Sequence, residues 1–518
     1  MHIFQKHLYN LSMFSKVYSA QVNGIEAEIV EVETDIGAVG LPSFNMVGLA
    51  ETAVKESRDR VKSAMKNMNL NVFAHPITVN LAPGDIKKEG THFDLPVAIG
   101  LTCSSGMVKA VPAECLFAGE LSLDGKLRAV GGILPIAEGA RKAGFRKLIV
   151  PLDNADEAAV IDGIEVFPFE DLSSVTEFIN NDCKGTPHKL DKTSLFTSVK
   201  EYDVDFADVK GQFAARRCAE IAAAGMHNLF MIGSPGSGKT MIARRMPTIL
   251  PDMTLTEAIE TTKIYSVAGL IRSGRDLAVH RPFCSPHHTS SSVALIGGTS
   301  KAIPGQVSLA SNGVLFLDEL LEFPRSVLET LRQPLEDKEV TVSRAGRTVT
   351  YPANFMLVAA ANPCPCGYLG DKQKECTCSP SQIQKYRSRL SGPLMDRIDL
   401  HVEVGSADIA ELAAMADGEP SEIIRKRVAY AHSVQSARFK QSKTRFNSRM
   451  SEKETKKYCV LDEKTSKLLE TAAKKYSLSA RSYSKVLKTA RTIADLDRSE
   501  HIEAKHILES LQYRLIQE

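Results

Sequence analysis

The chain has 518 residues, 43% hydrophobic and 24% charged, with a formal net charge of +2 and ten cysteines. That length exceeds what one hydrophobic core supports and predicts three or so domains of roughly 150 residues each. The near-neutral balance excludes nucleic-acid binding by a global positive field, and the lack of any apolar run near 18 residues excludes a helical membrane span.

In chain order, the first twenty residues carry Lys6 and Lys16 and no apolar h-region, so a reducing, cytoplasmic setting is expected. Residues 1–178 alternate strand-like and helical runs, among them a strand over Ile25–Val32 and a helix over Leu49–Met68, without a phosphate loop. Residues 179–204 are rich in Lys, Thr and Ser and read as a linker. From 205 to 405, apolar strands alternate with longer helical stretches, the pattern of a parallel α/β sheet. Beyond that, residues 406–518 carry helical periodicity, with three helices predicted over Leu461–Lys475, Arg481–Leu496 and Ile502–Leu515.

The chemistry concentrates in the α/β segment. Gly233, Ser234, Pro235, Gly236, Ser237, Gly238, Lys239 and Thr240 fit G-x-x-x-x-G-K-[ST], entered by an apolar strand and left by a helix. Such a turn surrounds phosphates with backbone N–H groups at a helix N-terminus. Lys239 is expected on the β- and γ-phosphates of ATP, and the Thr240 hydroxyl on Mg²⁺. The continuous apolar run Gly313–Leu317 reads as a buried parallel strand ending in Asp318 and Glu319. Asp318 is expected in the Mg²⁺ shell and Glu319 as general base for the attacking water. A third strand, Phe355–Ala361, ends at Asn362, whose amide suits the γ-phosphate and the water.

With Pro393-Leu-Met-Asp-Arg397-Ile-Asp added, the order of these motifs resembles the AAA+ ATPases of the magnesium-chelatase branch, which includes hexameric replicative helicases. The resemblance implies that Arg397 is the arginine finger reaching a neighbour's γ-phosphate. It implies that Arg481, in Ser479-Ala-Arg-Ser-Tyr, is the lid arginine called sensor 2, and that the chain works as a homohexameric ring. Arg281-Pro-Phe-Cys-Ser-Pro-His-His-Thr, Pro304-Gly-Gln-Val-Ser-Leu-Ala, Leu331-Arg-Gln-Pro-Leu-Glu and Asn362-Pro-Cys-Pro-Cys-Gly367 resemble the YifB/ComM family more closely still. Membership implies a branch-migration helicase that integrates incoming DNA in natural transformation or recombination. Metal insertion into a porphyrin, or protein remodelling, is the alternative work for such a motor.

Gly119–Gly132, Gly40–Leu49 and Gly90–Val97 resemble the Lon protease domain, implying an N-terminal α+β domain of the ribosomal S5 domain 2-like type. Thr91, His92 or Phe93 stands where that peptidase has its serine, and Ile133 or Leu134 where it has its lysine. A Ser–Lys dyad needs the amine, so a scaffold without peptidase activity is expected.

Cys364, Cys366, Cys376 and Cys378 form two C-x-C pairs around a polar loop. Four thiolates suit a structural Zn²⁺, with free thiols or a disulfide as the other states open to them. His287 and His288, being adjacent, read as loop structure near a ring pore. Glu339–Tyr351 alternates β-branched residues around Arg344 and Arg347, a hairpin with a basic tip. In the helicases that this segment resembles, such a hairpin grips single-stranded or branched DNA by its phosphates. Arg425–Arg449 holds eight Lys or Arg and no acid, interleaved with Tyr430, Phe439 and Phe446, a composition that also suits single strands.

Overall fold

The computed structural model describes residues 14–67, 73–191, 202–270, 277–298, 302–344, 347–371, 373–406 and 416–514. They separate into two compact units, residues 1–198 with 255–279, and residues 199–254 with 280–518. No helix among the described residues is long and apolar enough to cross a membrane.

The first unit is the Lon-like α+β domain. Its strands are β1 (Phe14–Asn23), β2 (Glu26–Ile36), β3 (Ser43–Val47), β4 (Pro76–Ala82), β5 (Cys115–Phe117), the short pair β6 (Glu120–Leu121) and β7 (Leu127–Arg128), β8 (Lys147–Pro151) and β9 (Glu165–Phe169). Seven of them form one sheet in the order β3-β4-β2-β1-β5-β8-β9. Alternate side chains supply two cores, as a strand's period of two requires. Val17, Val32, Phe117 and Ile149 pack under the helix Asp94–Ser104, while Ala20, Leu116, Leu148 and Val150 pack under the helix Ile133–Lys142.

At the places compared with a peptidase dyad, Ile133 and Leu134 are fully buried in that second core. His92 is buried too, its Nε2 2.9 Å from the Ala20 carbonyl oxygen, and burial lowers its pKa to about 4.

Two boundaries differ from those read in the sequence. Residues 255–279, expected in the ATPase segment, belong to the first unit: Leu255, Ile259 and Leu277 pack against the core of Ile133–Lys142, and Lys263 pairs with Glu138. The expected linker is built in at its start. The helix Leu172–Asn180 buries Val175 and Ile179, and the His188 N–H donates to the Val166 carbonyl at 2.8 Å. Residues 192–201 of that segment lie outside the described residues.

The second unit holds β10 (Leu229–Ile232), β11 (Phe283–Cys284), β12 (Val314–Leu317), the hairpin β13 (Glu339–Arg344) and β14 (Arg347–Pro352), β15 (Met356–Ala361) and β16 (Leu400–Glu403). The five-stranded sheet runs β11-β12-β15-β10-β16, and every neighbouring pair is parallel. Its central strands β12 and β15 are buried along their whole length, which is why they read as unbroken apolar runs. The C-terminal helices Ser421–Arg438 and Ala480–Leu496 contribute Ile424, Val428, Ala431 and Ile493 to the same core as Leu229, Met231 and Val358. Sheet and helical lid therefore make one unit. A smaller core around Leu469, Val486, Ala490 and Ile507 joins the last helices to each other.

Candidate nucleotide site

In an open parallel sheet, ligands bind beyond the carboxyl ends of the strands where the strand order reverses. β15 lies between β12 and β10, with Leu317 opposite Ala359 and Ile232 opposite Ala361. Asp318–Glu319, Asn362 and Gly233 therefore leave three adjacent strands at one edge. The Gly233 N–H donates to the Ala361 carbonyl at 3.2 Å. A Cβ on Gly233 would stand 2.2 Å from the Val404 carbonyl oxygen, so only glycine lets the turn begin there. The helix Lys239–Ile249 opens just after Gly238, and no side chain caps it among the described residues. Its first N–H groups thus face the turn, as an anion site needs.

Lys239 is buried, and its ammonium donates to the carbonyls of Gly233 at 2.7 Å and Ser234 at 2.8 Å and to Asn362 Oδ1 at 3.4 Å. Burial lowers its pKa, opposed by the negative charges of Asp318 and Glu319. Thr240 Oγ1 donates to Asp318 Oδ2 at 2.8 Å, and Asp318 Oδ1 accepts the Glu319 N–H at 2.9 Å. This hydroxyl–carboxylate pair is the oxygen donor set a hard divalent cation such as Mg²⁺ takes, next to the lysine that would meet the phosphates. Lys239, Thr240, Asp318 and Asn362 are thus in mutual reach.

Glu319 sits at φ +50°, a turn that lifts its carboxylate clear of the strand end, and its Oε2 lies 3.1 Å from His288 Nδ1. His288 in turn sets its ring edge-on to Phe323 and against His287. The sequence reading placed it, with His287, in loop structure near a ring pore. The signal was the segment Arg281–Thr289, which carries the short strand β11 next to β12, but pairing with Glu319 depends on the strand order.

Arg397 and Arg481 are brought together. Arg397 bonds Glu336 and donates to the Pro393 carbonyl at 2.7 Å, and Arg481 reaches Asp396 at 4.0 Å. Both line a cleft of about 340 Å³ shared with Arg449, Lys485 and Lys488, and no phosphate-loop residue lines it. Asp399, also in its lining, is mostly buried, which acts to raise its carboxyl, yet Lys485, 3.0 Å away, His227 and the Asn228 N–H hold it well below the usual range.

The four cysteines converge, all four sulfurs lying within 4.8 Å of one another. The N–H groups of Tyr368 and Thr377 pull the Cys366 thiol down to about 6. Cys376 stays up at about 12 despite the Cys378 N–H, through partial burial and the neighbouring thiols Cys364 and Cys366. Four sulfurs this close cannot all ionise without a cation among them.

The hairpin forms with Arg344 opposite Arg347 in register. Ala345 and Gly346 at its tip, and the side chains of both arginines, lie outside the described residues. Three of the eight basic residues of the stretch 425–449, and two of its rings, serve the fold, while Lys426, Lys440, Lys443 and Arg445 are exposed. Arg427 pairs with Glu220 and Glu419, Arg438 with Asp495, Arg449 donates to the Leu335 carbonyl, and Phe439 and Phe446 pack into the two cores. Glu220 and Asp495, which pair with Arg427 and Arg438, lie far away in the chain and were invisible in the local composition.

Three family profiles match the chain: "Magnesium chelatase, subunit ChlI" over residues 205–412, "Subunit ChlI of Mg-chelatase" over 30–154, and "Magnesium chelatase, subunit ChlI C-terminal" over 418–514. The chain is 42% identical over 506 residues to competence protein ComM of Haemophilus influenzae, covering 96% of this chain and 97% of that one. It is 41% identical over 505 residues to YifB of Escherichia coli, covering 97% of each. Lon protease 2 of Bacillus subtilis is 25% identical over 182 residues, 30% of this chain and 32% of the protease.

Proposed function

The chain belongs to the YifB/ComM family of magnesium-chelatase-like AAA+ ATPases, and from that premise we propose that it is an ATP-driven DNA motor. It works as a homohexameric ring and drives branch migration, promoting integration of DNA in transformation or recombination. The observation that supports the ring is that Arg397 and Arg481 line one cleft together, whose lining includes none of Lys239, Thr240, Asp318 and Glu319. A second copy would bring its phosphate loop to these two arginines, in a cleft whose lining also carries Glu336, Asp396, Asp399 and Glu452. The name of the Haemophilus relative, a competence protein, supports DNA as the track.

In this reading Lys239 and the N–H groups after Gly238 bind the triphosphate. Mg²⁺, held by Thr240 and Asp318, neutralises phosphate charge. His288 fixes the Glu319 carboxylate, which takes the proton of the attacking water, and Asn362 orients that water against the γ-phosphate. Arg397 and Arg481 of the neighbouring copy meet the charge developing on the transferred group. Arg344 and Arg347 at the hairpin grip DNA phosphates.

The three profiles named for magnesium chelatase favour a second reading, a motor for metal insertion into a porphyrin. One experiment separates them: ATP hydrolysis and unwinding by the purified chain on a three-stranded junction, on plain duplex and without DNA. Strong stimulation and strand displacement on the junction support the DNA motor; indifference to every DNA leaves the chelatase reading.

A further inference from the structure

The cysteine loop has a place in the ATP site that its sequence does not announce. Cys364 follows Asn362 by two residues, so the loop 364–378 begins where the catalytic strand β15 ends. Its sulfurs are spaced for one metal ion. Cys364 stands 3.4 Å from Cys366 and 3.6 Å from Cys376, Cys366 stands 3.6 Å from Cys376, and the Cys378 sulfur accepts the Cys366 N–H at 3.3 Å. A tetrahedral zinc with Zn–S near 2.3 Å places its sulfurs about 3.8 Å apart, so these need only spread slightly around the ion. Between the pairs the chain reads Gly-Tyr-Leu-Gly-Asp-Lys-Gln-Lys-Glu, with too little apolar surface to order itself by burial.

What the loop touches is the phosphate loop. Gly367 is buried at φ +89°, and a Cβ built on it would stand 2.7 Å from Pro235 Cδ and 3.9 Å from Asn362 Cγ. The Asp371 carboxylate is held below its usual range chiefly by the nearby Ser234 hydroxyl, and the N–H groups of Gln373 and Lys374 donate to it at 2.8 and 3.1 Å. Ser234 and Pro235 form the outer wall of a glycine-rich turn that has few side chains of its own to stiffen it.

The geometry points to a zinc clamp: Cys364, Cys366, Cys376 and Cys378 hold one Zn²⁺, and the loop they close braces Ser234, Pro235 and Asn362, so that metal occupancy sets the affinity for nucleotide. This rests on the ATP-site reading above. Metal binding orders such a loop because the ligands are not preassembled without the ion. If losing zinc leaves the braced arrangement in one molecule in ten, apparent nucleotide affinity falls about tenfold.

The test uses the full chain, purified without added metal. Elemental analysis is expected to find one zinc per chain; iron in its place, or no metal, overturns the clamp. Affinity for a fluorescent ATP analogue in excess Mg²⁺ is then measured before chelation, after stripping and dialysis, and after Zn²⁺ is returned. A fall of about tenfold, recovered with Zn²⁺, is expected, and affinity unchanged within twofold overturns the proposal. Asp371→Ala leaves the four thiols intact; it is expected to retain zinc and still bind nucleotide more weakly. Retained zinc with wild-type affinity removes the link between loop and phosphate turn. If the zinc-loaded chain binds no nucleotide at all, the ATP-site reading itself fails, a result distinct from nucleotide binding that ignores zinc.

Discussion

His288→Ala probes whether the contact to Glu319 positions the base or merely decorates the surface. The pair is partly exposed, with side-chain exposures of 30% for His288 and 53% for Glu319, so it contributes under about 1 kcal/mol to folding. Melting temperature is therefore expected to move by a few degrees at most. Lys239 and Thr240 take no part in the contact, so the KM for ATP stays near wild type. The cost falls on the base. A freed glutamate regains rotamer entropy worth about 1.5–2 kcal/mol, which must be removed again to reach the reactive geometry. At 1.36 kcal/mol per factor of ten, kcat falls roughly ten- to thirtyfold. His288→Asn, which keeps an N–H donor near the position of Nδ1, is expected to recover most of that loss. Steady-state ATPase kinetics on the three proteins read it. A kcat within twofold of wild type refutes the positioning role, and a faster His288→Ala enzyme shows instead that the histidine holds Glu319 back.

Glu319→Gln is expected to bind ATP as wild type does while kcat falls by about 10²–10⁴, the range for loss of a general base; equilibrium binding beside single-turnover hydrolysis checks it, with Lys239→Ala as the variant that loses binding. Arg397→Ala is expected to keep nucleotide affinity and lose about 10³ in kcat, the order seen for arginine fingers. Mixing it with Glu319→Gln protein should restore partial ATPase activity if the finger acts between copies, and no recovery in mixed rings counts against that. Stability in acid is the last. The buried His92 and His401 have pKa values lowered by burial to about 4 and about 3, His401 also by the positive charges of Arg514 and Lys485. Below their unfolded value of about 6.5 the unfolded chain takes up protons that the folded chain refuses. Stability is therefore full above pH 6.5 and falls as the pH drops toward 4, by a few kcal/mol for His92. Melting temperature against pH measures this, and His92→Gln should flatten the slope.

The nucleotide edge was legible in the sequence because its demands fall on consecutive residues. A turn that admits phosphate needs glycine at Gly233 and Gly238 with a lysine and a hydroxyl at once behind them. A buried parallel strand needs an unbroken apolar run, and Val314–Leu317 is one. Helix periodicity likewise marked Glu463–Lys475 and Ala480–Leu496 to within a few residues. Long-range pairing obeys no such local rule. Nothing near Arg427 or Arg438 in the chain says that Glu220 and Asp495 will neutralise them, so a run of charge resembled a free basic surface. The helix at 255–267 has a pattern that fits either unit, and only packing against Ile133–Lys142 assigns it.

By itself, then, the amino-acid order determined the phosphate turn, the acidic strand end and the alternation that makes each sheet, since these are set by backbone sterics and side-chain period over a few residues. Tertiary structure decided the rest. Strand order β11-β12-β15-β10 set His288 against Glu319, the close approach of Gly367 to Pro235 joined the cysteine loop to the phosphate turn, and folding of the lid placed Arg481 beside Arg397. Each of these joins residues tens of positions apart, whose meeting is fixed by which surfaces bury together and not by any pattern along the chain.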